Sequence, residues 1–196
     1  MWKRATDIVV SLLVLVIGFP VFLILAIAVR LSSPGPIIYR SKRSGRSGKP
    51  FDMYKFRSMY PDADKRLAEL RAQSDREGPI FKMKNDPRIT PIGRFIRKTS
   101  LDELPQFINV LIGDMSLIGP RALPPYETRE LDEFGLQRLR VNPGITCYWQ
   151  ISGRSNITHQ QWMELDNKYI DDMSFGVDIV ILFKTPRAVL KGEGAY

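Results

Sequence analysis

The sequence predicts an α+β fold, predominantly helical, in which an N-terminal re-entrant (monotopic) membrane helix and a small β-hairpin precede a compact helical domain. Three observations lead there. An uncharged apolar run, Ile8 to Val29, carries Pro20 near its middle. Two short aromatic or β-branched runs flank a turn, Gly45-Arg46-Ser47-Gly48-Lys49-Pro50. Between residues 62 and 190, helix-like stretches alternate with Pro- and Gly-containing breaks.

The apolar run is 22 residues long. As a straight helix it would measure about 33 Å, enough to cross a hydrocarbon core of about 30 Å. Pro20 lacks an N–H and clashes with the carbonyl of Val16, so the helix should kink there. Each arm would then span only about 15 Å. Both flanks are basic: Lys3 and Arg4 before the run, Arg30, Arg40, Lys42, Arg43, Arg46 and Lys49 after it. Positive charge on both sides favours keeping both ends on the cytoplasmic face. A re-entrant helix over residues 1–35, bent near Pro20, satisfies both features; a single crossing remains the alternative. A cleaved signal peptide fits worse, because the run is too long and Arg30-Leu31-Ser32-Ser33-Pro34 does not resemble a small-residue cleavage site.

Residues 36–196 form the second expected domain. Ile37 to Ser41 and Phe51 to Phe56 predict a hairpin. Asp62 to Arg76 predicts a charged helix stopped by Glu77-Gly78-Pro79, and Asn85-Asp86-Pro87 a turn. Thr90-Pro91 starts a helix that runs to Lys98. Ser100-Leu101-Asp102-Glu103 has the spacing of a capping box. Leu101, Leu104, Phe107, Ile108 and Leu111 should form that helix's buried face, with Asp102, Gln106 and Asn109 on another. Gly113-Asp114 ends it. Tyr126 to Arg140 reads as helix, Ile145 to Ile151 as strand, Ser152-Gly153-Arg154 as a turn, and His159 to Asp172 as helix. Phe175 to Leu190 is too interrupted to span a membrane and reads as a core or interfacial helix.

Composition narrows the chemistry. One cysteine, Cys147, excludes a disulfide framework, and one histidine, His159, argues against histidine-based metal sites or triads. The chain carries 29 basic and 21 acidic residues. Residues 1–60 hold 10 basic and 2 acidic side chains, and the remainder is balanced at 19 of each. The excess flanks the apolar run. That pattern favours anionic membrane lipids over nucleic acid as the partner.

Asp102-Glu103 is the most informative acidic pair. Adjacent carboxylates near a helix N-terminus suit the helix dipole on structural grounds alone. Arg97 and Lys98 upstream, with Arg121 in a Gly-Pro loop, make the pair a candidate site for a phosphate and a divalent metal. A carboxylate can attack phosphorus to form an acyl-phosphate, and Mg²⁺ would neutralise charge in such a site. Adjacent residues cannot flank a glycosidic bond from opposite faces, which disfavours glycoside hydrolysis. Arg97 is otherwise a helix C-terminal cation, Arg154 a nucleotide-phosphate contact or a surface turn residue, and Lys55 and Arg57 are solvated charges or headgroup contacts. Asp114 is a turn residue or a metal or packing partner. Trp149 and Trp162 read as core or membrane-interface residues.

Nearly the whole chain, Lys3 to Tyr196, resembles the bacterial sugar transferase family, the monotopic polyprenyl-phosphate phosphoglycosyl transferases. The resemblance rests on Lys3-Arg4-Ala5-Thr6-Asp7, the proline-broken run, and Lys49-Pro50-Phe51 with Tyr54-Lys55-Phe56-Arg57-Ser58-Met59. Asp86-Pro87-Arg88-Ile89-Thr90-Pro91-Ile92-Gly93 adds to it. Most diagnostic are Thr99-Ser100-Leu101-Asp102-Glu103-Leu104-Pro105-Gln106 and Gly113-Asp114-Met115-Ser116-Leu117-Ile118-Gly119-Pro120-Arg121, followed by Pro143-Gly144-Ile145-Thr146 and Ser152-Gly153-Arg154. The resemblance leans to the branch that transfers galactose- or glucose-1-phosphate to undecaprenyl phosphate.

That resemblance implies a catalytic domain on the cytoplasmic face of the bacterial inner membrane. Asp102 matches the nucleophile that takes a phosphosugar from a UDP-hexose with release of UMP, and undecaprenyl phosphate then accepts it. Glu103 matches its partner, as metal ligand or base. Arg97 and Arg121 match phosphate-binding arginines, with Lys55, Arg57 and Arg154 as further substrate-binding candidates, and Mg²⁺ is the implied cofactor. The step would initiate surface polysaccharide or glycoconjugate synthesis. A homo-oligomer is compatible with the sequence, and a catalytically silent membrane adaptor of the same fold is the alternative. Ser41 replaces a common glutamine and Cys147 a common glycine of the family pattern.

Overall fold

The computed structural model describes residues 2–70, 83, 86–153 and 157–191. Its architecture mixes helices with two two-stranded sheets, and helices dominate.

The apolar run forms two helices, α1 (Trp2–Ile17) and α2 (Phe19–Ser32). They are inclined by 63°, and no single helix among the described residues is long and apolar enough to cross a membrane. The bend centres on Gly18, with Pro20 inside the first turn of α2. A Cβ on Gly18 would run into the Val14 carbonyl oxygen, so the close approach at the bend requires glycine. Val16, Ile17, Phe19, Ile24 and Leu31 are exposed around the pair.

Both ends of the pair are tied to the rest of the molecule. Lys3 Nζ lies 2.7 Å from Asp178 Oδ2 and donates to the Tyr169 hydroxyl at 2.9 Å. Arg4 donates to the Val110 and Leu111 carbonyls at 2.6 and 2.7 Å. Asp7 accepts from the Leu117 amide and the Ser116 hydroxyl. At the other end, Arg57 donates to the Val29, Ser33 and Pro34 carbonyls. These cations satisfy helix ends and buried anions inside the protein. The expectation that the basic flanks serve the lipid surface therefore fails for Lys3, Arg4 and Arg57.

Strands β1 (Ile38–Ser44) and β2 (Pro50–Phe56) pair antiparallel, Ile38 opposite Phe56 and Ser44 opposite Pro50, as the hairpin reading anticipates. Helix α3 (Ala63–Leu70) opens the charged stretch; its expected continuation to Arg76 and the stop at residues 77–79 lie outside the described residues, as does Asn85. Then follow α4 (Pro91–Lys98), α5 (Gln106–Ile112) and β3 (Ser116–Ile118). The expected helix over residues 126–140 is broken. It becomes α6 (Pro125–Arg129), α7 (Glu133–Leu136) and a 3₁₀ turn, because Asp132 starts a new helix by accepting from the Gly135 amide. Strand β4 is only Gly144–Thr146, parallel to β3, and α8 (Tyr148–Ile151) replaces the rest of the expected strand. A Cβ on Gly144 would strike the Gly119 backbone, so glycine lets these two segments meet.

Helices α9 (His159–Asp172) and α10 (Phe175–Lys191) close the fold. Helix α10 buries Asp178 and Ile181 and exposes Phe175, Val180 and Phe183. The main core gathers Met53, Val110, Met115, Leu117, Tyr169 and Ile181 around buried Cys147. A second cluster, Leu25, Val29, Phe56 and Ile96, seats α2 on β2 and α4.

Candidate active site

The Thr90 hydroxyl accepts the Gly93 amide and Pro91 takes the first helical position, so α4 begins where the sequence places it. At its far end Arg97 and Lys98 suit the negative pole. Ser100 then adopts φ +57°, a left-handed conformation uncommon for a residue with a side chain. Leu101–Glu103 form a single 3₁₀ turn before Pro105 and α5.

The expected capping box is therefore absent: Ser100 makes no side-chain cap bond. Pro105 has no N–H to continue a helix from Leu101, so the turn stays separate from α5. The carboxylates of Asp102 and Glu103 are thereby left available. The expected buried face holds in part: Leu101, Leu104 and Phe107 are half-buried and pack against the two cores, but the most deeply buried positions lie elsewhere. Gln106, Asn109 and Val110 are buried, whereas Ile108 is exposed. Asn109 explains this: its carbonyl accepts from the Tyr54 amide at 2.9 Å and its amide donates to the Asp52 carbonyl at 2.7 Å. It satisfies the open edge of β2, where unpaired backbone would otherwise be buried.

Alternation along β2 aims Lys55 at the turn. Lys55 Nζ lies 2.7 Å from Glu103 Oε1 and 4.0 Å from Asp102 Oδ2. Arg121, in the Gly119-Pro120 loop after β3, places Nη2 3.1 Å from Glu103 Oε1. Glu103 is thus held between two cations, while Asp102, 7% exposed, accepts no hydrogen bond from any described residue. Burial pushes the Asp102 carboxyl above the ordinary aspartate value, helped by the Glu103 charge and opposed by Lys55, Arg97 and Arg121. Glu103 goes the other way: burial opposes its ionisation, but Lys55 and Arg121 hold it far below the usual glutamate range.

Of the sequence candidates, Asp102, Glu103, Lys55 and Arg121 come together. Arg97, in the last turn of α4, acts on Asp102 through its charge. Arg57 is placed elsewhere, with its guanidinium on the C-terminal end of α2. Asp114 stands beyond the far end of α5, 3.5 Å from the Asn109 amide, rather than beside the acidic pair. Arg154 lies outside the described residues.

Three residues near the cluster escape sequence reasoning. Arg43 shares the Lys55 face of the hairpin, since Tyr39 pairs with Lys55 and Arg43 stands two alternations along. It donates to the Ser41 hydroxyl and to the carbonyl of Ala122, next to Arg121. Trp149 and Arg138 both touch Arg121. The hairpin register carries a signal for Arg43; for the other two no spacing signal exists.

The site can be tested against Mg²⁺. Among the described residues no group of three or more acidic, histidine or cysteine side chains gathers. Two carboxylates do, and Mg²⁺ is commonly held by one or two carboxylates with water and substrate phosphate completing the shell. Asp102, which accepts no hydrogen bond from any described residue, fits that role; Glu103 Oε1 is already engaged by Lys55 and Arg121. The arrangement offers a carboxylate that accepts no hydrogen bond from any described residue, beside fixed cations, which suits attack on an anionic phosphorus centre.

The sequence pattern of the family described as bacterial sugar transferase matches residues 1–192. The undecaprenyl-phosphate galactose phosphotransferase of Salmonella typhimurium is 45% identical over 99% of this chain and 41% of its own length. The UDP-glucose:undecaprenyl-phosphate glucose-1-phosphate transferase of Escherichia coli is 44% identical over 99% of this chain and likewise 41% of its own length. The exopolysaccharide production protein ExoY of Rhizobium meliloti is 37% identical over 100% of this chain and 88% of its own. This chain therefore spans less than half of the first two relatives and most of the third. With the family pattern covering almost every residue, the chain belongs to the bacterial sugar transferase family.

Proposed function

We propose that this protein transfers a hexose-1-phosphate, galactose or glucose, from a UDP-sugar to undecaprenyl phosphate. The observation that carries the reading is the buried Asp102 carboxylate, without a hydrogen bond from any described residue, beside the Lys55–Glu103–Arg121 cluster. An Asp102 oxygen attacks the phosphorus that bears the hexose. The bond from that phosphorus to the bridging oxygen breaks, and UMP leaves with that oxygen. The product on the protein is a mixed anhydride, the aspartyl phosphosugar. An undecaprenyl phosphate oxygen then attacks the same phosphorus and releases the carboxylate. The hexose keeps its own C1–O bond throughout.

Each residue has a role in that sequence. Lys55 and Arg121 hold Glu103 ionised and offset phosphate charge, and Arg97 favours the ionised Asp102 needed for attack. Mg²⁺, which Asp102, Glu103 or both would hold, would supply further charge neutralisation on the diphosphate.

The lipid acceptor requires a membrane, and the bent α1–α2 pair supplies a means of reaching it from the cytoplasmic face of the inner membrane. Support comes from its exposed apolar side chains and from the tethering of both its ends to one globular body. Such tethering is compatible with a helix that enters and leaves by the same face.

The test is UMP release from UDP-galactose and UDP-glucose with undecaprenyl phosphate and Mg²⁺ in mixed micelles. Release by the unaltered protein, with a phosphosugar adduct on Asp102 when the acceptor is omitted, is expected. Undiminished turnover by Asp102→Asn would refute the reading.

A further inference from the structure

Three side chains close a ring with Arg121. Its guanidinium lies over the Trp149 ring, 5.5 Å from the centroid. Trp149 stacks on Trp162, with centroids 4.9 Å apart and planes inclined by 25°. The Arg138 guanidinium lies over Trp162 at 5.1 Å. Arg138 Nη2 then donates to the main-chain carbonyl of Arg121 at 2.7 Å, which returns the chain of contacts to its start. Arg138 is 4% exposed, and its charge faces Asp166, Nη2 to Oδ2 2.8 Å. The ring thus joins the loop after β3, α8, α9 and the 3₁₀ turn Gln137–Arg140.

This arrangement grips Arg121 at both ends. Its backbone is fixed by Arg138, and its guanidinium is fixed by one carboxylate oxygen and one aromatic face. The Glu103 contact alone is a single point, about which a guanidinium can turn. A flat π surface adds a plane, because cations rest on aromatic faces. The fork of donors then keeps one orientation before a phosphate arrives, and less rotamer freedom is lost on binding.

We propose that Trp149, Trp162 and Arg138 are positioning residues that orient the Arg121 fork toward a substrate phosphate, with Trp149 setting its plane. The inference rests on the phosphosugar-transfer reading for the identity of that phosphate. It adds an aromatic relay that none of the four residues shows alone. Trp149 is half-buried and is the member suited to substitution; Arg138 and Trp162 lie in the packed interior.

The experiment is a double-mutant cycle on the full chain with Trp149→Leu, Trp149→Phe, Arg121→Gln and the Trp149→Leu/Arg121→Gln pair. The readouts are kcat/KM for UMP release and, separately, the Kd of UMP. Trp149→Leu should lower kcat/KM and weaken UMP binding by about three- to thirty-fold, the span of one cation–π contact. Trp149→Phe, which keeps a flat face, should stay within about twofold. On the Arg121→Gln background, Trp149→Leu should add nothing, because its effect passes through Arg121. A purely structural tryptophan would give additive losses, and that result, or an unaltered Trp149→Leu protein, overturns the proposal. UMP binding that obeys the cycle in a protein releasing no UMP supports the relay and sinks the transferase reading. Full UMP release with an additive cycle does the reverse. A protein that neither binds nor releases UMP overturns both.

Discussion

Asp86 and Asp102 sit a few residues outside opposite ends of α4, equally buried at 5% and 7% exposure, and both feel the charge of Arg97. Their fates differ. Asp86 accepts hydrogen bonds from the Arg88 amide, Nε and Nη2, the shortest 2.7 Å, and although burial opposes it, Arg88 holds its carboxyl below the ordinary value. Asp102 accepts none from any described residue; Lys55 stands 4.0 Å away, and burial pushes the Asp102 carboxyl up. The fold saturates one aspartate and leaves the other chemically available. A nucleophile must keep a lone pair for its substrate, and incomplete satisfaction gives Asp102 what the proposed attack needs.

The sharpest way to break that comparison is to neutralise each aspartate in turn. Asp102→Asn should reduce UMP release by at least about 10³-fold, the usual scale for removing a nucleophile. Its melting temperature should hold or rise. The sign follows from the raised folded pKa: the ionised form is disfavoured by folding, so a neutral isostere removes a cost. Asp86→Asn should do the opposite, lowering stability by about 3 kcal/mol through loss of a buried paired charge while the folded fraction still turns over. Equal loss of stability in both variants, measured by thermal unfolding, would erase the distinction.

The helices that carry this contrast were legible to different degrees. Helix α4 runs from Pro91 to Lys98 as expected, because Thr90, Pro91 and the terminal cations are local signals. The bend at Gly18 and Pro20, the hairpin and α9 were equally local. The turn at Ser100–Glu103 was misread for a physical reason. A capping-box spacing was present, but Pro105 denies the helix its continuation and Ser100 turns left-handed. Motif and charge point to Asp102, Glu103 and Arg121. Their union with Lys55 spans 48 residues of sequence and depends on strand register, which composition does not reveal. Lys3, Arg4 and Arg57 looked like a lipid-facing flank, yet each partner that claims them lies more than 20 residues away.

Acid should separate the two aspartates in one titration. Because the folded pKa of Asp102 is raised, the ionised nucleophile is lost as pH falls through a value above the ordinary 3.8, and UMP release should drop about tenfold per unit below it. The Asp86 contribution to stability runs on the other sign. Its folded pKa is lowered, so that contribution is present above the unfolded value and disappears only as pH falls toward the lowered one. Activity should therefore fail at a higher pH than the Asp86–Arg88 pair. Turnover rates and melting temperatures in the same buffer series, for the unaltered chain and Asp86→Asn, read both limbs. Coincident limbs, with the Asp86→Asn stability profile parallel to that of the unaltered chain, would mean the two carboxylates are not differently poised.

The smallest expected effect tests how Arg97 reaches both. Thr90 is 1% exposed, accepts the Gly93 amide at 2.9 Å, and donates its own amide to the Ser58 carbonyl at 3.0 Å. A Cβ at Gly93 would collide with that same carbonyl, so the start of α4 is seated tightly on the chain leaving β2. Thr90→Ala removes one cap and should cost about 1 kcal/mol, a shift of about 2–4 °C for a chain of this size. The acid limb of UMP release should stay in place. Arg97 influences both aspartates through charge across space, which a slightly frayed first turn two helical turns away barely alters. A limb displaced toward higher pH would show instead that the seat of α4 on the hairpin holds Arg97 close enough to keep Asp102 ionised, and that the contrast between the two aspartates is set at Thr90 rather than at their own hydrogen bonds.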